Sequence, residues 1–393
     1  MIYTRKLFKQ LIKEIDSKSI TVLTGMRQVG KTTLMRSVFD CIDSDNKTFL
    51  DLENPLNQKI FEEENFDNIL INLENFGINS KDKAYLFLDE IQLIPNLVKA
   101  IKYLYDHYQI KFFLTGSSSF YLKGLFPESL AGRKIIYELF PLDFEEFLIF
   151  KKKEKKFFEK FIQKAGKKNK ISFEKYNRLY DEYLQFGGFP AVVVEDDRKR
   201  KSSMIEDIFK SYFEKDVKTL ADFKEINKLR DLILLLTARV GSKIEITKIA
   251  SELGLSRETI YSYLGFLEKT YFIFLLTPYS RSVDSEVRGA KKIYFCDTGL
   301  LNYLGKIPSG VNFENVVFQN LRNYGDLNYY QKYKGPEIDF ILNKKTAFEV
   351  KICGDINSLV KLEKLSKALK LKESYLITKK YLSHKKAIIG LDI

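Results

Sequence analysis

An α/β protein is predicted: a phosphate-loop domain with a largely parallel sheet over residues 1–150, then helical segments over 151–240, a winged helix-turn-helix over 241–305, and a second, smaller α/β unit over 306–393. Three observations carry this. The first 150 residues alternate apolar runs with helix-compatible stretches, the pattern of a parallel sheet with helical crossovers. "GMRQVGKTT" at Gly25–Thr33 fits the phosphate-loop pattern between a predicted strand and a predicted helix. "GPEIDFILNKKTAFEVK" at Gly335–Lys351 reads as two strands around a polar turn.

The strand-like runs of the first domain are "SITVLTG", "KTFLDL", "AYLFLDE", "IKFFLTG" and "KIIYELF". Strands buried on both faces read as continuous apolar runs, as "AYLFL" does. Lys151–Lys170 holds ten Lys against two Glu and reads as a solvated helix or loop. "FGGFP" at Phe186–Pro190 marks a tight break between helices. In residues 244–276 a first helix from Ile246 to Leu253 ends at Gly254. Ser256 then caps a second helix bearing Ile260, Leu264 and Leu267, with Arg257 and Lys269 at its two ends. Apolar strands follow, hence the winged-helix expectation. After Gly310 an amphipathic helix from Phe313 to Tyr324 leads into the hairpin, a further helix and a final strand.

Composition limits the function classes. The 393 residues are 45% hydrophobic and 30% charged, with no apolar run long enough to span a bilayer and an N-terminus unlike a signal peptide. Cys41, Cys296 and Cys353 stand singly, and His107 and His384 are the only histidines, so neither a disulfide framework nor a zinc site of recognised spacing is expected. The expected setting is reducing and cytoplasmic, without membrane association. A formal net charge of +13 favours polyanionic partners, DNA among them, although Lys far outnumbers Arg, as an AT-rich genome would also produce.

The residue types of the loop follow from phosphate chemistry. Gly25 and Gly30 let the backbone N–H groups of Gly25, Met26, Arg27, Gln28, Val29, Gly30, Lys31, Thr32 and Thr33 curl around an anion. The helix that follows points its positive end at the same place. Lys31 reaches the β- and γ-phosphates of ATP, and the Thr32 hydroxyl ligates Mg²⁺. In "YLFLDEIQ", Asp89 ends a strand where it holds the hydrated metal, and Glu90 orients the attacking water. The adjacent carboxylates favour hydrolysis over transfer to a small metabolite. "FFLTGSSS" offers Thr115 or Ser117 as a γ-phosphate sensor, or simply a polar turn. Arg133 in "SLAGRK" is a finger candidate, acting on a neighbouring subunit of a homo-oligomer, or an ordinary surface arginine.

Together, "VLTGMRQVGKTTL", "LFLDEIQLIP", "FFLTGSSSF", "ESLAGRKIIYELFPLDFEEF", "FGGFP", "IASELGLSRETIYSYLGFLEKTYFIFLLTPY", "KIYFCDTGLLNYL" and "EIDFILNKKTAFEVK" resemble, in order, the prokaryotic AAA-type ATPases that carry a C-terminal domain of unknown function. Met26 stands where Pro is expected. The resemblance implies an AAA core, a helical and winged-helix middle and a C-terminal domain similar to PD-(D/E)XK nucleases. It also strengthens Arg133 as a finger or sensor.

In the hairpin, Ile338, Phe340, Leu342, Phe348 and Val350 form an apolar face, and Glu337, Asp339, Glu349 and Lys351 a charged, solvated one. A three-residue turn at Asn343–Lys345 sets Leu342 opposite Thr346 and Asp339 opposite Glu349. Two converging carboxylates repel, and a divalent cation relieves that. Glu314 on the preceding helix offers a third carboxylate. The resembled pattern implies Asp339 and Glu349 as Mg²⁺ ligands and Lys351 as the group that activates water. The plain alternative is the wet side of a hairpin, with Glu337 paired to Lys351. The expected function is ATP hydrolysis coupled to action on DNA. The alternative is a nucleotide-dependent switch that binds a protein or DNA partner without cutting, and a metabolic P-loop kinase ranks third.

Overall fold

The computed structural model describes residues 5–94, 96–116, 130, 132–218, 226–280, 282–332 and 335–393. The chain packs as two compact units, neither contiguous in sequence. One comprises Met1–Phe140, Glu214–Ala221 and Lys269–Tyr271; the other comprises Pro141–Phe213, Asp222–Glu268 and Phe272–Ile393.

The first unit is built on five strands: β1 (Ile20–Thr24), β2 (Lys47–Asp51), β3 (Ala84–Asp89), β4 (Ile110–Gly116) and β5 (Lys134–Glu138). Their order is β2-β3-β4-β1-β5, and all neighbours are parallel. β1, β3 and β4 are buried along their whole length, as their apolar runs require of strands covered on both faces. Helix Lys31–Asp40 packs on β3 and β4, and helix Leu97–His107 packs on β4. Phe87 stacks on Phe113 at 4.5 Å between ring centroids and meets Phe39 edge-on at 5.3 Å, which ties the phosphate-loop helix to the sheet. β5 is an edge strand, and Ile135 and Ile136 on it are exposed.

The second unit contains the helical stretch, the helix-turn-helix and the C-terminal sheet. Helices Ile246–Leu253 and Arg257–Lys269 occupy the predicted spans. Gly254 takes φ 65°, a left-handed conformation that ends the first helix at little cost only for glycine. The Ser256 hydroxyl accepts the Thr259 N–H at 3.1 Å, capping the second helix. β6 (Ile273–Leu276) and β7 (Lys292–Phe295) then pair antiparallel.

"FGGFP" and "KIYFCDTGLL" meet in this unit. The Asp297 carboxylate accepts the N–H of Gly188 at 2.7 Å and of Leu300 at 3.0 Å. A Cβ on Gly187 would lie 2.1 Å from that carboxylate, so the first glycine is required by a close approach 110 residues along the chain. Burial pushes Asp297 up to about 6, against the pull of the N–H donors.

The last sheet has the order β12-β11-β10-β9-β8, with β8 (Leu327–Gln331), β9 (Glu337–Leu342), β10 (Thr346–Lys351), β11 (Glu373–Thr378) and β12 (Ala387–Ile389). β9 runs antiparallel to both β8 and β10, while β10, β11 and β12 run parallel, β10 leading to β11 across a crossover through helix Ile356–Ala368. Leu342 pairs with Thr346, so the turn holds three residues as expected, and Asn343 and Lys344 take positive φ within it. No helix among the described residues is long and apolar enough to cross a membrane.

Candidate functional site

The phosphate loop leaves β1 at the C-terminal edge of the parallel sheet. Gly25 has φ 152°, and a Cβ there would sit 2.1 Å from the Leu139 carbonyl oxygen, so backbone crowding from one side demands glycine. Gly30, at φ 94°, turns the chain into helix Lys31–Asp40. Arg5 braces the back of the loop by donating to the carbonyls of Val29 at 2.8 Å and Phe140 at 2.7 Å. Lys31 curls over the loop and donates to the carbonyls of Gly25 at 2.9 Å and Met26 at 3.0 Å. Burial lowers its pKa, opposed by the charges of Glu90, Asp216 and Asp89. Met26 is buried, so the apolar residue that replaces the expected proline faces the interior. Gln28 and Thr33 are exposed, and Arg27 and Thr32 half-buried.

Asp89 and Glu90 lie at the same edge, because β3 and β1 flank β4 in a parallel sheet. Asp89 is buried and accepts the Thr115 hydroxyl of β4, whose oxygen in turn accepts the Glu90 N–H at 3.2 Å. Glu90 takes φ 57°, a left-handed conformation uncommon for a side chain of its size. It accepts the Gln92 amide and stands 4.0 Å from the Arg27 guanidinium. Arg27 also pairs at 3.0 Å with Asp216, which is 2% exposed. Lys31, Asp89, Glu90 and Thr115 thus come together, and with them Gln92 and Asp216, which the sequence reading did not single out. Asp216 lies 189 residues from Arg27 in a π-helical turn, Tyr212–Val217, and no local pattern marks it. Ser117 lies outside the described residues.

Arg133 is placed elsewhere. It precedes β5 at the N-terminal edge of the sheet, where its carbonyl accepts the Ile20 N–H and its guanidinium pairs with Asp106 at 3.1 Å. Five residues of β1 separate that edge from the loop, roughly 17 Å at about 3.3 Å per residue. Arg133 therefore does not join the phosphate loop of its own chain, and its pair with Asp106 fits an ordinary surface arginine as well as a role on a neighbouring subunit.

In the C-terminal sheet the structure corrects the expected wet face. Asp339 is 8% exposed, because the sheet is covered on both sides. Phe340 meets Phe318 of helix Ser309–Leu321 on one side, while Ile341 and Ala347 pack with Leu362 of helix Ile356–Ala368. Asp339 accepts the Val350 N–H at 2.8 Å. Lys351 pairs with Glu349 at 2.7 Å, and Glu337 pairs instead with Lys292 of β7, so the expected Glu337–Lys351 pair does not form. Glu314 accepts the Tyr294 hydroxyl at 2.8 Å.

These groups form one electrostatic network. Burial, then the Asp339 charge, pushes both Glu314 and Glu349 up to about 7. Burial also raises Asp339, against Lys292 and the Val350 N–H. Lys292 is 3% exposed; burial opposes its charge, but Glu314, Glu337 and Asp339 outweigh that and raise its pKa. Among the described residues no three His, Cys, Asp or Glu side chains are arranged to hold a metal ion. Glu314, Asp339 and Glu349 are therefore linked through charge without forming the expected three-carboxylate ligand set. The relief of repulsion that the sequence reading assigned to a divalent cation comes in part from Lys292, on a strand 47 residues before Asp339. Lys292, one of two adjacent lysines in "KKIYF", carries no signal for this.

The sheet order and this loop define the class: the chain carries an AAA-type P-loop ATPase domain. Residues 17–148 match the family described as an AAA domain, and residues 177–311 match a domain of unknown function, DUF8612. The chain belongs to the family of an uncharacterized protein of Methanocaldococcus jannaschii, 33% identical over 92% of this chain and 81% of that one. An uncharacterized Haemophilus influenzae protein is 28% identical over 89% and 88% of the two chains. Among solved structures, the Walker-type ATPase PABY2304 of Pyrococcus abyssi shares the fold, with a TM-score of 0.51 at 15% identity over 77% of this chain and 96% of that one.

Proposed function

We propose that this chain is a Mg²⁺-dependent ATPase that acts on DNA through its helix-turn-helix, read as a winged helix, and a nuclease-like C-terminal sheet. The observation that carries the ATPase part is the gathering of Lys31, Asp89, Glu90 and Thr115 at one edge of a parallel sheet. In this reading the backbone of Gly25–Thr33 cradles the phosphates, Lys31 neutralises them and Thr32 and Asp89 hold Mg²⁺. Glu90 orients water, with Thr115 or Ser117 sensing the γ-phosphate. Arg133 acts on the nucleotide of a neighbouring subunit.

The DNA part rests on a net charge of +13 and on a second helix that begins at the exposed Arg257. For the C-terminal sheet the charge balance supports a metal. Above about pH 7 four carboxylates, Glu314, Glu337, Asp339 and Glu349, face two ammonium groups, Lys292 and Lys351, which leaves the charge that one divalent cation neutralises. In this reading Asp339, Glu349 and Glu314 would be the groups that hold Mg²⁺, which would polarise a phosphodiester. Lys351 lies beside them to stabilise the developing charge.

A second reading, a nucleotide-dependent switch that binds DNA or protein without cutting, is favoured by Lys292 lying among the carboxylates. Incubating the full chain with Mg²⁺ or Mn²⁺ and labelled branched, single- and double-stranded DNA, with and without ATP, separates the two. Cleavage that disappears in Asp339→Ala supports the first reading. Salt-dependent binding without cleavage supports the second, and no binding at any salt removes DNA from the account.

A further inference from the structure

We propose that the lysine-rich segment between residues 151 and 176 forms a groove for single-stranded nucleic acid, an extension of the DNA reading above to a second surface and a strand state. Its composition predicts a solvated helix or loop. The structure instead folds it around two adjoining cavities of about 440 and 530 Å³, which share Glu154, Lys155 and Lys156 in their walls. Each has the size of a small-molecule site.

Three lysines build the groove. Lys164 is 2% exposed and donates to the Asp392 carbonyl at 2.5 Å. Lys155 pairs with the Asp392 carboxylate at 2.5 Å, and Lys168 donates to the carbonyls of Ala165 at 2.6 Å and His384 at 2.5 Å. Phe161 stands 4.9 Å from the Phe348 ring of β10, so the segment is fastened to the strand that carries Glu349 and Lys351. These contacts hold the walls in place before any ligand arrives.

Four other lysines, Lys153, Lys156, Lys167 and Lys175, line the cavities with exposed side chains and pair with no carboxylate among the described residues. Between them lie half-buried rings: Phe157 lines one cavity and Phe158 the other. Lys155 stands 4.0 Å from the centre of the Phe157 ring and Lys167 5.1 Å from that of Phe158. Ammonium groups set against aromatic rings along a groove suit a polymer that carries flat bases beside its phosphates. A duplex keeps its bases stacked inward and away from such rings, so the groove suits the single strand.

The test measures binding of full-length protein to fluorescent oligo(dT) and to a duplex of equal length across a salt series. Lys156→Gln/Lys167→Gln should weaken oligo(dT) binding about tenfold at 0.1 M salt and flatten the logarithmic salt slope by about 1.4, at roughly 0.7 per lost phosphate contact. Phe158→Ala should weaken it at an unchanged slope, and Arg257→Ala should affect the duplex alone. Wild-type affinity for oligo(dT) in the double lysine variant or in Phe158→Ala overturns the proposal. Duplex binding without oligo(dT) binding overturns it too but leaves the helix-turn-helix reading standing, whereas failure to bind either DNA overturns both.

Discussion

Replacing Lys292 by methionine tests the electrostatic account of the C-terminal network. Methionine keeps most of the side-chain volume and removes the charge. The four carboxylates then face only Lys351, and the net charge of the cluster goes from −2 to −3. Breaking a fully buried ion pair costs about 3–5 kcal/mol. Glu337 is 33% exposed, so water screens part of this, and about 2–3 kcal/mol is expected near pH 8. For a unit of this size that is a fall in Tm of roughly 4–12 °C. The sign of the pH dependence follows from Glu314 and Glu349. Their folded pKa of about 7 lies above the ordinary glutamate value, so the folded state binds more protons than the unfolded one. Stability is therefore present at low pH and lost as pH rises from about 4.5 through 7. At pH 5.5 Glu314, the one of these two glutamates whose charge acts on Lys292, is largely protonated, so the penalty of Lys292→Met should shrink. Thermal melts of both proteins without divalent cations at pH 5.5 and 8 measure this. An equal fall at both pH values, or none at pH 8, would refute the reasoning.

The remaining predictions concern the loop and the buried aspartate. Gly25→Ala should abolish nucleotide binding, since its Cβ would collide with the Leu139 carbonyl, while the melt of the second unit stays in place; equilibrium binding of a fluorescent ATP analogue checks it. Asp297→Ala should destabilise the second unit by about 2–4 kcal/mol, because the N–H groups of Gly188 and Leu300 lose their acceptor, and urea denaturation reads the loss. Asp297→Asn keeps an acceptor and relieves the buried charge, so it should cost clearly less above pH 6 than below pH 4.

The parts of this fold that the sequence made legible are those in which neighbouring residues carry the signal. The phosphate loop, the helix-turn-helix with its Gly254 and Ser256 boundaries, and the Asn343–Lys345 turn all depend on local chemistry. Alternation in the hairpin also placed Asp339 and Glu349 on one face. It could not show that helix Ile356–Ala368 covers that face, because burial on both sides is a tertiary property. Asp216 beside Arg27 and Lys292 among the carboxylates escaped for the same reason: each is a single charge brought in from a distant segment, with no spacing rule to announce it. Arg133 was a plausible finger by type, but its place at the far edge of the sheet follows only from strand direction.

The central claim, nucleotide hydrolysis at the loop formed by Lys31 with Asp89 and Glu90, is tested most directly by measuring ATP binding and steady-state hydrolysis separately for wild type, Lys31→Ala and Glu90→Gln. Lys31 neutralises phosphate in every bound state, whereas Glu90 acts mainly on the attacking water. Wild type should hydrolyse ATP with Mg²⁺ and stop with excess chelator. Lys31→Ala should lose binding, and Glu90→Gln should bind ATP at close to wild-type affinity while turning it over at least about a hundredfold more slowly. Full turnover in Lys31→Ala, or unchanged turnover in Glu90→Gln, would contradict the account.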